Sequence, residues 1–262
     1  MISTLPTYLK DRAEAIRGLN AQTLPQFGNA YLGWKQPQML RLYKAFPSNS
    51  LQRDDLVKLY AEWTDPVLAA VATFVWGYID TRKDMRLQQV LAVDESELLT
   101  RLNRIQDLVK GGKLEEAFRS CCSSGENSIP GVGMSFFTKI FFFVGAADAW
   151  VNPKPLILDR WTTNAFFALR GQSKGTKEAR DLFTIPSHTS LARYKAISLK
   201  NDPEVQSNAY VEYVTLMNDW AAQLEVAPDK LEQFVFGIDL RRDRLPTNPR
   251  NELLAIIETQ IS

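Results

Sequence analysis

Apolar residues recur along most of this chain at the spacing of helices rather than strands. Leu98, Leu102, Ile105 and Val109 fall at three- and four-residue intervals, which places them on one helical face. Asp94 precedes that run with Glu97 three residues later, the pattern of a capping box, and Gly111-Gly112 closes it. Tyr210, Val214, Met217 and Trp220 mark one face of a longer helix, opened by Asp202-Pro203 and running through Leu224. Proline at the first helical position is tolerated because its missing N–H has no partner there anyway. It recurs at Asp65-Pro66, Ala227-Pro228 and Asn248-Pro249. The same reading predicts helices over 5–19, 53–64, 113–121, 176–183, 231–236 and 251–261. Residues 22–38 read as a loop carrying Phe27, Tyr31 and Trp34, and 171–177 as a polar, basic loop. Strand-like alternation is scarce, and there is no internal repeat or low-complexity linker. The pattern predicts an all-α protein.

Two segments break the amphipathic rule. Val67 to Trp76 is apolar on every side, with Gly77 as its stop, and so is Phe136 to Val144. A helix apolar all round is a buried helix. The second segment carries one charged side chain, Lys139, among five phenylalanines. Burial favours the uncharged form of a lysine, and a neutral amine is a nucleophile. A lysine that snorkels to water or pairs with an acid is the plainer alternative.

The turn before this helix reads Ile129-Pro130-Gly131-Val132-Gly133. Its two glycines can adopt positive φ or admit a ligand close to the backbone. The first N–H groups of the following helix suit an anion such as a nucleic-acid phosphate. A tight helix-to-helix turn with Val132 in the core is the alternative. Roughly twenty residues after Lys139, the run Pro155-Leu156-Ile157-Leu158 ends in Asp159, a favoured helix N-cap. A capping aspartate at the mouth of a cleft is also fixed in direction, as a catalytic carboxylate must be.

Together these residues resemble the helix-hairpin-helix DNA glycosylase superfamily, which holds 8-oxoguanine DNA glycosylase, endonuclease III and the adenine glycosylases. Its signature is an apolar-Pro-Gly-Val/Ile-Gly hairpin, a helix with the catalytic lysine, and an aspartate roughly twenty residues on. The close likeness covers 129–161, which carries the hairpin, the lysine helix and the aspartate. The rest of 1–262, taken as a single unit, shares the helix-rich character. Two departures stand out. Most bifunctional members carry the lysine where Ser135 stands here, with Lys139 one turn later on the same helix face; the monofunctional adenine glycosylases have a serine there. Upstream, Ser123 to Ser128 interrupts the approach to the hairpin, so its first helix is expected to be short or shifted.

The resemblance implies two helical subdomains flanking a DNA- and base-binding cleft, with the hairpin at its rim. It implies excision of a modified base extruded from double-stranded DNA, first of all 8-oxoguanine. Lys139 would be the nucleophile and, as a Schiff base, the source of strand-nicking lyase activity. Asp159 would stabilise positive charge on the sugar. Gly131, Val132, Gly133 and Ser135 would hold the DNA backbone. Trp76, Tyr78, Phe137 and Trp161 would supply aromatic walls of the base pocket. Excision of hypermodified phage cytosines in anti-phage defence is a second reading, and non-catalytic DNA binding a third.

Composition narrows the branch. Net charge is +1, so DNA contact must come from a local patch rather than bulk charge. The two cysteines, Cys121 and Cys122, are adjacent and cannot supply the four thiolates of an iron–sulfur cluster or a zinc site. The likeness is therefore to the cluster-free branch, with no cofactor and no metal. The one histidine, His188, leaves little room for Ser-His-Asp chemistry and reads as a surface residue. No signal peptide opens the chain and no apolar run is long enough to cross a membrane. The expectation is a cytoplasmic monomer that acts on DNA and has no membrane partner.

Overall fold

In the computed structural model the described residues are 3–20, 34–48, 50–77, 85–185, 197–237 and 248–261. They form fourteen helices and one two-stranded ladder, so the fold is all-α. The chain divides into two units, Thr23–Pro155 and Met1–Gln22 with Leu156–Ser262.

The first unit holds α3 (Pro37–Ala45), α4 (Arg53–Glu62), α5 (Pro66–Gly77), α6 (Met85–Leu91), α7 (Glu95–Lys110), α8 (Leu114–Cys121) and α9 (Met134–Ala147). The all-apolar α9 is its axis. Every residue from Phe136 to Gly145 is buried, and α4, α5, α7 and α8 pack around it. Its phenylalanines interlock with their neighbours. Phe143 stacks on Tyr60 at 5.6 Å and meets the edge of Trp76 at 5.4 Å, while Phe137 meets Phe118 edge-on at 4.9 Å. Such pairs add about 0.5–1.5 kcal/mol each beyond simple burial.

The second unit holds α1 (Thr7–Asp11), α2 (Ala13–Arg17), α10 (Arg160–Lys174), α11 (Thr176–Leu182), β1 (Phe183–Thr184), β2 (Ser198–Leu199), α12 (Pro203–Gln223), α13 (Pro228–Phe236) and α14 (Pro249–Ile261). Here α10 is the axis, buried from Thr162 to Gly171 and packed by α11, α13, α14 and β2. Polar contacts tie the N-terminal helices to late elements. Tyr8 Oη donates to Glu252 at 2.8 Å, Arg12 pairs with Glu252 at 2.6 Å, and Trp220 Nε1 donates to the Thr4 carbonyl at 3.1 Å.

Several local expectations change. The single helix over 5–19 is two short ones, because the backbone leaves helical geometry at Arg12 (φ −108°, ψ 8°). The loop expected over 171–177 is helical to Lys174. Gly171 serves close packing rather than a turn: an added Cβ would lie 2.5 Å from the Gln260 amide of α14. The turn falls instead at Gly175, with φ +104°. Asp94 caps α7 as expected, but Glu97 turns to Arg101, which also donates to the Ser128 carbonyl. Helices α3 and α6 were not anticipated. Tyr78, Phe27, Tyr31, His188 and the basic cluster Arg241 to Arg244 lie outside the described residues. Among the described residues no helix is long and apolar enough to cross a membrane.

Candidate functional site

The hairpin is built from α8, an irregular bridge and the start of α9. The helix α8 is short, as Ser123 to Ser128 implied. The bridge folds back on α8: Asn127 N donates to the Ser120 carbonyl at 2.9 Å and Asn127 Nδ2 to Ser120 Oγ at 3.0 Å. The turn then closes with Val132 N on the Ile129 carbonyl at 3.0 Å. Ile129 is in the core, whereas Val132 is half-buried.

The two hairpin glycines differ. Gly131 has φ +81°, and a Cβ on it would lie 2.4 Å from the Arg86 carbonyl oxygen. Only glycine fits there, for a reason internal to the fold. Gly133 is extended (φ −93°, ψ −179°), exposed, and a Cβ on it would meet nothing within 4 Å. It is the N-cap of α9 and lends no side-chain cap. The N-terminal amides of this buried helix therefore begin at an open backbone position.

Lys139 lies a turn and a half into α9 and is 7% exposed. Its stem packs on α5: a Cβ on Gly77 would come within 3.1 Å of Lys139 Cδ and Cε. Its Nζ lies 5.0 Å from the Phe136 ring centroid and donates to the Ser135 carbonyl at 2.7 Å. Helical side chains lean toward the N-terminus, and here that brings the amine back to the level of Ser135. Ser135 itself is half-buried. Phe137 is in the core against Phe118 and Phe141, and Trp76 is half-buried with Arg53 5.6 Å from its ring. Lys154 closes the far end of α9, its Nζ donating to the carbonyls of Gly145 at 2.9 Å and Asp148 at 2.7 Å. Partial burial lowers that lysine's pKa, against the attraction of Asp148.

Asp159 belongs to the other unit and caps its axial helix. Its Oδ1 accepts from Trp161 N at 2.8 Å and Thr162 N at 3.0 Å, and its own N–H donates to Thr162 Oγ1 at 2.8 Å. This is a full capping box, worth about 1 kcal/mol for the cap alone. It uses one carboxylate oxygen and fixes the direction of the other. The segment ahead of it, Leu156 to Leu158, is buried without regular structure, so its backbone groups need side-chain partners. Tyr210 Oη donates to the Leu156 carbonyl at 3.0 Å, and Tyr213 Oη to the Ile157 carbonyl at 3.1 Å. Thr162 Oγ1 donates to that same carbonyl at 3.0 Å, and Glu232 accepts from Ile157 N at 3.2 Å. Burial holds the Tyr213 phenol well above its ordinary pKa, reinforced by the carboxylates of Glu232 and Asp159.

Sequence reasoning misses this clamp: Tyr210 marks only one face of its helix, Tyr213 carries no signal of its own, and Glu232 stands as the one acid in the stretch Leu231 to Phe236. The isolated acid was the available signal, since a carboxylate 3% exposed must be satisfied by its surroundings. Trp161, half-buried, has the Arg250 guanidinium of α14 4.3 Å from its ring centroid and that of Arg160 at 5.3 Å.

The cysteines are chemically quiet. Both are free and buried, and burial pushes the Cys121 thiol up to about 12. Among the described residues no group of His, Cys, Asp and Glu could hold a metal ion.

A family model for 8-oxoguanine DNA glycosylase OGG-like protein matches residues 15–236, from α2 to the end of α13. Searches of curated proteins and of solved structures give no match.

Proposed function

Since this chain belongs to the 8-oxoguanine DNA glycosylase OGG-like family, a family of DNA glycosylases, we propose that it excises an oxidised purine, 8-oxoguanine first, and then nicks the strand. The target base leaves the stack, because its glycosidic bond is unreachable in the duplex. The hairpin amides after Gly133 hold a backbone phosphate and set the register. Lys139 attacks the sugar C1′ as the neutral amine, the C1′–N bond breaks, and the base departs with its electron pair. The nitrogen then loses a proton and the C1′–O4′ bond breaks, O4′ leaving as a hydroxyl, which opens the sugar to a Schiff base; that Schiff base acidifies the C2′ proton, and β-elimination expels the 3′ phosphate. Asp159 stabilises the positive charge that develops on the sugar before the C1′–N bond is fully broken. Trp76 and Trp161, both half-buried, are each a candidate for stacking on an extruded base, while Phe137 is in the core.

The observation that carries this reading is Lys139. It is nearly buried in an apolar helix, and its amine is held at Ser135, the position where the resembled bifunctional enzymes carry their lysine. Borohydride trapping on abasic-site duplex tests it. Wild type and Asp159→Asn should form a covalent adduct, the latter more slowly, and Lys139→Gln should form none. On a second duplex that carries 8-oxoguanine, full base release by Lys139→Gln would remove it as the nucleophile.

A further inference from the structure

The start of α6 sits against the hairpin turn. A Cβ on Gly131 would lie 2.4 Å from the Arg86 carbonyl oxygen and 3.1 Å from Gln89 Oε1. Leu87, Val90 and Leu91 are buried, and their spacing puts them on one stripe that pins the short helix to the core. Met85 opens α6 off that stripe and is 72% exposed. Met85 and Gln89 are four residues apart, which puts them on one helix face. Since Gln89 meets the hairpin, the methionine stands on the hairpin side of α6. Helical side chains lean toward the N-terminus, so Met85 projects past the first turn of its helix.

Single exposed apolar residues are common on protein surfaces and need no explanation by themselves. Place distinguishes this one. The other exposed residues of α6 are Arg86, Gln88 and Gln89, so Met85 is an apolar tip on a polar face. Beside it the hairpin is open. Pro130 and Gly133 are exposed, and the first amides of α9 begin there. Trp150 is 94% exposed, but it follows the far end of α9, a helix of 14 residues and therefore about 21 Å from the hairpin.

We propose that Met85 is a wedge: it enters the base stack of duplex DNA beside the phosphate held by the hairpin and fills the space that an extruded base leaves. The proposal rests on the glycosylase reading for the identity of its ligand. Extrusion forfeits the stacking of the target base on its neighbours, and an apolar side chain in the gap restores part of that contact. Methionine suits the task because it is unbranched, turns about three bonds and carries a polarizable sulfur that packs well on aromatic rings. Carbon atoms in contact are about 3.5–4 Å apart, close to the rise of about 3.4 Å per base along a strand. Hairpin and α6 then act as one piece. The phosphate sets the register, Met85 enters the stack, and the contact between Gly131 and Arg86 fixes the offset between the two.

The test is binding across a salt series to two short duplexes, one unmodified and one carrying a tetrahydrofuran abasic analogue with 2-aminopurine beside it. Wild type should change the 2-aminopurine fluorescence at saturating protein. Met85→Ala should lose that change and bind the abasic duplex about tenfold more weakly, with less than about a twofold effect on the unmodified one. Its slope of log K against log salt should stay that of wild type, because no phosphate contact is removed. Met85→Leu should restore most of the affinity and of the fluorescence change. Both variants should melt like wild type, since the position is exposed. An alanine variant that binds the abasic duplex and perturbs 2-aminopurine as wild type does would overturn the wedge alone. Equal losses on both duplexes, or a flattened salt slope, would overturn it in favour of a general backbone contact. Wild-type protein that binds neither duplex would refute the glycosylase reading, and the wedge with it.

Discussion

Gly131 and Gly133, two residues apart, have separable reasons to be glycine. At Gly131 the cause is steric: positive φ and the Arg86 carbonyl 2.4 Å from any Cβ. Gly131→Ala should therefore cost about 2–4 kcal/mol of stability, read as a lowered melting temperature whether or not DNA is present. At Gly133 nothing lies within 4 Å and φ is −93°, so Gly133→Ala should change stability by less than about 1 kcal/mol. If the hairpin amides hold phosphate, that added methyl should still weaken duplex binding several-fold. An alanine at 133 that binds DNA like wild type would remove the close-approach role. The sequence alone could not separate these glycines, since the pattern Gly-Val-Gly shows neither φ nor neighbours. Lys139 was more legible. Burial followed from the phenylalanines around it, but the return of its amine to Ser135 depends on the lean of helical side chains, which residue spacing does not show.

The segment before Asp159 works as an element with no regular structure of its own. It is held by α12 through Tyr210 and Tyr213, by α13 through Glu232, and by α10 through Thr162. Removing one buried partner strands a backbone group, at about 1–3 kcal/mol. Glu232→Ala should lose that much stability, while Glu232→Gln, which can still accept from Ile157 N, should recover most of it. Tyr213→Phe is the more informative change. It removes one of two donors to the Ile157 carbonyl and leaves Thr162 as the other. We expect a modest loss of stability, and single-turnover base release slowed about threefold to tenfold with duplex affinity unchanged, because the aspartate's approach is loosened rather than the DNA contacts. A parallel loss of affinity would mean the clamp supports the DNA-binding surface instead. The helices themselves were legible because capping residues, prolines and apolar periodicity are local signals. The clamp was not, because three of its four partners, Tyr210, Tyr213 and Glu232, lie more than fifty residues from the segment they hold.

At the scale of the whole chain, the units differ in how they depend on charge. In Met1–Gln22 with Leu156–Ser262, Glu212 bonds to Arg170 at 3.0 Å and to Lys174 at 2.5 Å, and Glu252 joins Arg12 and Tyr8. Burial alone would raise both carboxyls, but those hydrogen bonds and charges outweigh it and hold both below their ordinary pKa. A depressed folded-state pKa contributes stability above the unfolded value, about 4.3 for glutamate, and that stability is lost as pH falls through the folded value. Among the described residues of Thr23–Pro155 the lowered carboxyl is Asp94, held by the Ser96 hydroxyl and two backbone amides in an exposed cap, and the axis α9 is packed by apolar rings. Acid should therefore loosen the α10 unit first. Hydrogen exchange at pH 4 against pH 7 should show protection falling in α10, α12 and α14 while α9 stays protected. Glu212→Gln should make that unit less stable at pH 7, by about 2 kcal/mol before solvent screening, and flatten its loss below pH 4. Simultaneous loss of protection in α9 and α10 would mean that the two axes unfold as one cooperative block and that carboxylate pairing does not set the order.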